Sequence, residues 1–375
     1  MLIFAQRLFD GAQLQEDRVV EIRNGRIHRV EAAAPDASAD LACPLLAPGF
    51  IDLHIHGCRG FDTMGGAEHI RGMARALPEY GVTGFLPTTV AASIPDTRLA
   101  LKGAAELMEA SPGARVLGCH LEGPFLNPFR KGAQPEAFLL PPSLSAYEAL
   151  TAGYRHAVRM MTIAPELPGA PELMEALKGE IVLSAGHTNA TFEQLLGAVG
   201  RGLSQITHLF NAMSPLSHRA PGAAGAALSS EALCVQVIAD LVHLHPAVLR
   251  LIRQCKPQGN CLLITDAIEA TGMPDGTYRL GFNKVLVKGN EARLPDGTLA
   301  GSVLTMDRAV RNMISAGGAD LAQALGMASR NPADALGIPD MGRIQPGARA
   351  DLVFLDQDLT VRSTMVDGRI LFTRS

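Results

Sequence analysis

An α/β fold is the fold class this sequence predicts: a (β/α)₈ TIM-type barrel carrying a small β-sandwich domain formed by both chain termini. Eight short apolar runs, separated by helix-like stretches through the middle of the chain, give a βα rhythm that suits a closed ring of parallel strands better than an open sheet. Strand-like sequence at the two ends gives the second domain. Size agrees with both, because 375 residues with 47% hydrophobic and 19% charged content can bury one large core and still leave an accessory piece.

Taken in order, residues 2–5, 19–22 and 27–30 read as strands, and Asn24-Gly25 between the last two is a hairpin turn. An Ala/Asp-rich loop at 32–42 precedes the first barrel strand, 50–56, which is entered from the Pro48-Gly49 turn. The other barrel strands are expected at 83–87, 116–121, 159–163, 181–185, 205–207, 234–239 and 261–265. Helices are expected at 97–109, 191–197, 246–254 and 305–316. Turn clusters at Pro274-Asp275-Gly276, Lys288-Gly289-Asn290 and Pro295-Asp296-Gly297 interrupt the rhythm and mark a β insertion at about 276–302, after strand eight and near the barrel mouth. Residues 351–355 and 366–372 return to strand-like sequence. The expected division is a small β-domain from 1–48 and 346–375, and a barrel from 49–345.

Composition excludes several function classes. A formal net charge of −4 without any Lys/Arg run gives no footprint for nucleic acid. No apolar stretch approaches a membrane span, and the segment from Met1 to Arg7 breaks into charge too early for a secretory leader. The six cysteines lack CxxC spacing, so reduced thiols and a cytoplasmic location are expected, with Cys58 a turn residue near the site described next.

His54 and His56 close the first barrel strand at alternate positions, so both imidazoles project to one side. Further strands end at His120-Leu121-Glu122, His187, His208 and Asp266. Singly, each buried histidine is as well explained as a satisfied core residue. Around the C-terminal rim of one barrel they form a His/carboxylate set suited to a divalent ion, Zn²⁺ foremost, although Fe²⁺, Co²⁺ or Mn²⁺ takes the same donors. Hydrolysis assisted by such an ion needs a group that takes a proton from water and returns it to the leaving group. Asp266 fits that role; the plainer reading is a cap on the segment that follows it.

The run Ala47-Pro48-Gly49-Phe50-Ile51-Asp52-Leu53-His54-Ile55-His56-Gly57 resembles the opening signature of the amidohydrolase superfamily, and Gly342-Arg343-Ile344-Gln345-Pro346-Gly347 with Ala350-Asp351-Leu352-Val353 resembles its closing one. Five motifs narrow the resemblance to the N-acetylglucosamine-6-phosphate deacetylase family. They are His120-Leu121-Glu122-Gly123-Pro124-Phe125, Ser184-Ala185-Gly186-His187-Thr188, Thr207-His208-Leu209-Phe210-Asn211-Ala212-Met213, Thr265-Asp266-Ala267 and Leu299-Ala300-Gly301-Ser302. The resemblance implies Glu122, His187 and His208 as principal metal ligands and Asp266 as general base and acid. Retention of His54 and His56 implies room for a second ion sharing Glu122, hence one or two per chain.

The same resemblance assigns Ala133, Gln134, Asn211, Ala212, Arg219, His243, Leu299, Ala300 and Gly301 to the binding of an amino-sugar phosphate. Arg219 would serve the phosphate of a neighbouring subunit, which implies a homodimer. Gln134 stands where several members of the family carry histidine, and this leaves the glucosamine and galactosamine epimers both open. A cyclic amidohydrolase or deaminase on the same barrel lacks its strand-four lysine in residues 160–166. A sugar-phosphate sensor without catalysis would have no use for Asp266.

Overall fold

Continuous apolar sequence makes strands buried on both faces, and Phe50–Ile55 opens the series with every residue buried. The structure, a computed structural model, describes residues 1–34 and 38–374. The Ala/Asp-rich loop expected at 32–42 therefore falls partly on residues 35–37, which lie outside the described residues; Arg26–Ala32 and Leu41–Pro48 on either side are strands.

Among the described residues, the barrel-region strands form two parallel arcs. The first contains Phe50–Ile55, Val82–Pro87 and Arg115–Val116. The second runs through Cys119–Glu122, Val158–Ile163, Val182–Ala185, Leu203–Ile206, Cys234–Ile238 and Cys261–Ile264. Isolated parallel bridges, Thr88 to His120 and Ile55 to Ala267, link the arcs at both ends. The apolar run expected at 116–121 is divided between the arcs at Gly118, whose φ of +132 lies in the region that favours glycine. A Cβ there would stand 2.0 Å from Arg159 Cγ.

Helix starts follow their caps. The helix expected at 97–109 begins earlier, as Ile94–Glu109, because the Ser93 hydroxyl accepts from Asp96 N. Thr191 lies outside the helix Phe192–Val199 and closes a capping box with Gln194. Pro246–Cys255 and Met306–Ser315 stand close to their expected bounds. Helices such as Ala67–Ala76 and Ala170–Leu177, which the sequence reading did not single out, fill further crossovers.

Strands from both chain ends share one sheet. Its order is Arg369–Thr373, Val361–Val366, Leu352–Leu355, Leu41–Pro48, Leu2–Phe9, Leu14–Arg23, Arg26–Ala32. The seam between the ends is antiparallel, with Leu352 opposite Pro48 and Leu355 opposite Leu45. At the expected hairpin, Asn24 and Gly25 take φ of 50 and 74, as the turn requires. After strand eight, Gly276–Leu280, Asn283–Lys288 and Glu291–Arg293 form a separate antiparallel sheet. No helix among the described residues is long and apolar enough to cross a membrane.

Asp52 locks the first arc to the last strand. It is fully buried, and its carboxylate accepts from Thr265 Oγ1 at 2.5 Å, Thr265 N at 3.3 Å and His54 N at 3.2 Å. Burial pushes its pKa up to about 6 despite these donors. Asp52→Ala would leave buried N–H groups unpaired, a cost of about 1–3 kcal/mol. The expected outcome is a lower urea midpoint with an unchanged m-value, measured by far-UV circular dichroism.

Candidate active site

Every residue of the central cluster sits at or just past the C-terminal end of a parallel strand. His54 and Ile55 end the first strand, His56 follows, and Glu122 ends Cys119–Glu122. His187, His208 and Asp266 each come two residues after a strand, and all three have left-handed backbone, with φ of 48, 30 and 51. Non-glycine residues held there cost about 1–3 kcal/mol each. Neighbouring bonds hold the turns in place: Asp266 N donates to His54 O at 2.9 Å, and Asn211 N to His208 O at 2.9 Å.

Two groups of ligand-type atoms result, both buried: Glu122, His187 and His208, and His54, His56 and Asp266. In the first, His187 Nε2 and His208 Nε2 lie 3.3 and 3.2 Å from Glu122 Oε1 and 3.1 Å from each other. In the second, His54 Nε2 and His56 Nε2 are 3.2 Å apart and lie 3.4 and 3.2 Å from Asp266 Oδ1. Glu122 spans both groups, its Oε1 3.5 Å from His54 Nε2 and its Oε2 3.3 Å from His56 Nε2.

These separations suit a metal. Ligand atoms about 2.1 Å from a tetrahedral ion stand about 3.4 Å from one another. Ring orientation agrees, because His187 Nδ1 faces Arg130 O at 2.9 Å, His56 Nδ1 faces Thr88 O at 3.1 Å, and His54 Nδ1 faces Gln236 Oε1 at 3.4 Å. Each acceptor requires a proton on Nδ1, so each Nε2 is left either as a bare lone pair for a cation or as the second N–H of an imidazolium.

Protonation of the cluster follows from its charges. Burial raises the Glu122 pKa, but the His54 charge and hydrogen bonds from His187 and His208 hold it well below the usual carboxylate range. Asp266 is brought down to about 2, since His54 and His56 outweigh its burial. Burial opposes charge on His56, yet hydrogen bonds to Asp266 and Glu122 push it up to about 10. His54 is also raised against its burial by Glu122 and Asp266. His208 moves the other way, since burial is its largest influence and lowers it.

A cleft of about 240 Å³ opens onto the cluster. Of the residues expected to bind substrate, Ala133, Gln134, Asn211, Ala212, His243, Leu299 and Gly301 line it. His243 is held by Asp240, whose Oδ2 lies 2.7 Å from Nδ1, and Asp240 raises the imidazole pKa against the effect of burial. Gly301 has φ of +60, and a Cβ there would meet Ile268 Cγ2 at 2.6 Å and Asp266 O at 2.8 Å.

Two expected residues lie elsewhere. Ala300 is fully buried and donates its N–H to Ala292 O, so its place is in the packing behind the cleft. Arg219 is exposed in a separate depression with Arg130 and Asn189. His120, in the strand-three motif, is not in either group: its Nδ1 faces Leu53 O and its Nε2 lies 2.7 Å from Thr162 Oγ1. Gly132, Leu280 and Thr298 also line the cleft and were missed by the sequence reading. The orienting residues Gln236 and Asp240 were missed too, and neither carries a motif signal.

The amidohydrolase family profile matches residues 45–371. The N-acetylgalactosamine-6-phosphate deacetylase of Escherichia coli O157:H7 is 37% identical to this chain over 98% of each. The N-acetylglucosamine-6-phosphate deacetylase of Bacillus subtilis (strain 168) is 38% identical over 97% of this chain and 96% of its own. Among solved structures, an aspartate-to-alanine mutant of N-acetyl-D-glucosamine-6-phosphate deacetylase from Mycobacterium smegmatis, in complex with N-acetyl-D-glucosamine-6-phosphate, superposes with a TM-score of 0.94. It is 36% identical and covers 100% of this chain and 99% of its own.

A pH dependence follows from the proton on His56. An ion entering the His54/His56/Asp266 group must displace that proton, whereas burial lowers the His208 pKa and so favours its neutral form. Because the His56 pKa is raised, competition grows as pH falls below about 10 and persists through neutrality. Affinity at this group should fall about tenfold per pH unit for each proton displaced. Zn²⁺ titration of stripped protein between pH 6 and pH 9 should show a second ion, taken by this group, as the more pH-sensitive one.

Proposed function

Because the chain belongs to the amidohydrolase family, we infer that it hydrolyses the acetamide of N-acetylglucosamine 6-phosphate to glucosamine 6-phosphate and acetate, as a step in amino-sugar catabolism. It is a hydrolase acting on a linear amide C–N bond. One observation carries this reading: a buried cluster of four histidines and two carboxylates opens into a cleft, in a chain 36% identical at TM-score 0.94 to a deacetylase in complex with that sugar phosphate.

The two parallel arcs and their bridges support a closed (β/α)₈ barrel from 49–345, with the shared end sheet as a small domain from 1–48 and 346–375. Glu122, His187 and His208 would hold the first divalent ion, Zn²⁺ for preference. His54 and His56 would hold a second against Glu122, with Asp266 close enough to join them. A divalent ion held by these residues would supply polarisation of the acetamide carbonyl and a nucleophilic water near neutral pH.

Asp266 carries the proton. Ionised at neutral pH, it accepts one from the attacking water and delivers it to the amine nitrogen as the C–N bond breaks. His243, oriented by Asp240, offers the N–H of its other nitrogen to the substrate. Arg219 lies outside its own chain's cleft, in keeping with a role at a neighbouring subunit's phosphate in a homodimer. Six cysteines without paired spacing are in keeping with the reducing cytoplasm. The galactosamine epimer is the second reading, favoured by the Escherichia coli relative at nearly the same identity.

Acetate release from the two epimeric 6-phosphates, assayed side by side, tests the proposal. The glucosamine epimer should have the higher kcat/KM; the reverse order would establish the second reading, and no release from either would remove both. Asp266→Asn should retain the fold and lower kcat by about 10²–10⁴-fold or more, with KM changed far less. A variant within tenfold of wild-type kcat at equal metal content would place the proton carrier elsewhere, with His243 next in line.

A further inference from the structure

Gln134 is fully engaged with protein at one end and with a metal-ligand carboxylate at the other. Ala91 N donates to its Oε1 at 2.8 Å, which fixes which way the amide faces. Its Nε2 must then point the other way, and it donates to Glu122 Oε2 at 2.7 Å. That is the oxygen facing His56, while Oε1 faces His187, His208 and His54. The side chain is buried, so this contact is sheltered from water. Its loop is braced as well: Gln134 N donates to Lys131 O at 2.9 Å, and Asn283 of the insertion sheet donates to Ala133 O at 2.7 Å. The same loop supplies Arg130 O to His187 Nδ1.

We propose that Gln134 is a positioning residue of the metal centre rather than a substrate contact, setting the rotation of Glu122 so that one carboxylate serves both ligand groups. A carboxylate free to turn could keep Oε1 among His187 and His208 while carrying Oε2 away from His56. Loss of the donor therefore weakens the second ion and spares the first. The proposal rests on the metal-centre reading above but not on the identity of the sugar, and ion binding is measured without substrate.

The experiment titrates stripped protein with Zn²⁺ alone, by calorimetry and elemental analysis, for wild type, Gln134→Met and Gln134→His. Wild type should take up two ions. In Gln134→Met, which keeps the length but neither hydrogen bond, the weaker ion should lose about 10–100-fold in affinity. The tighter ion, held within threefold of wild type, also reports an intact fold. Its KM for the sugar phosphate should be unchanged, and its kcat should recover at saturating Zn²⁺. Gln134→His, which keeps an N–H donor, should restore the weaker ion. An unchanged weaker ion with a tenfold higher KM would make Gln134 a substrate contact and overturn the proposal. Equal weakening of both ions, or a wild type that takes up only one, would overturn it too.

Discussion

A carboxylate removed from water needs positive charge or strong donors around it, because burying an ion costs several kcal/mol even after the protein relaxes. Glu122 meets that condition with imidazole nitrogens from four histidines within 3.5 Å and an amide donor from Gln134. Those histidines come from three different strand ends, so the carboxylate stays buried only while the parallel strands hold their relative heights. The Asp52 hydrogen bonds to Thr265 and the paired bridges at Thr88 and Ile55 maintain those heights. Fold and site are in this sense one electrostatic problem.

The two ligand groups differ in how they meet that problem. Burial holds the His208 pKa down, which favours an uncharged ring in this group. His54 and His56 face two carboxylates and hold charge of their own. Such a group exchanges protons for metal. Under the proposed two-ion centre, occupancy of the second group would follow pH.

Much of this was legible in the sequence. Strand periodicity gives the strand ends, and chemistry at those ends gives Glu122, His187, His208, His54, His56 and Asp266, which the structure brings together. What periodicity cannot supply is rotation about a side chain. His120 lies two residues from Glu122 in the same strand, yet it turns to Leu53 O and Thr162. Ala300 sits between two cleft-lining residues and is itself buried, because its N–H belongs to the insertion sheet. Gln236 orients His54 from 182 residues away, and Asp240, three residues before His243, is an ordinary polar residue whose side-chain direction the sequence does not give. The left-handed turns at three strand ends also left no mark, because histidine and aspartate give no warning of them as glycine would.

The shared end sheet has a consequence for synthesis of the chain. Leu41–Pro48 emerges from the ribosome early, and its partner Leu352–Leu355 follows about 300 residues later. At about 5–20 residues per second, that edge waits roughly 15–60 s with its hydrogen-bonding groups unpaired. An open strand edge is a template for pairing with other chains. The interval in which this protein is most exposed to aggregation, and most dependent on chaperones, thus falls during translation and ends only as the last strands arrive.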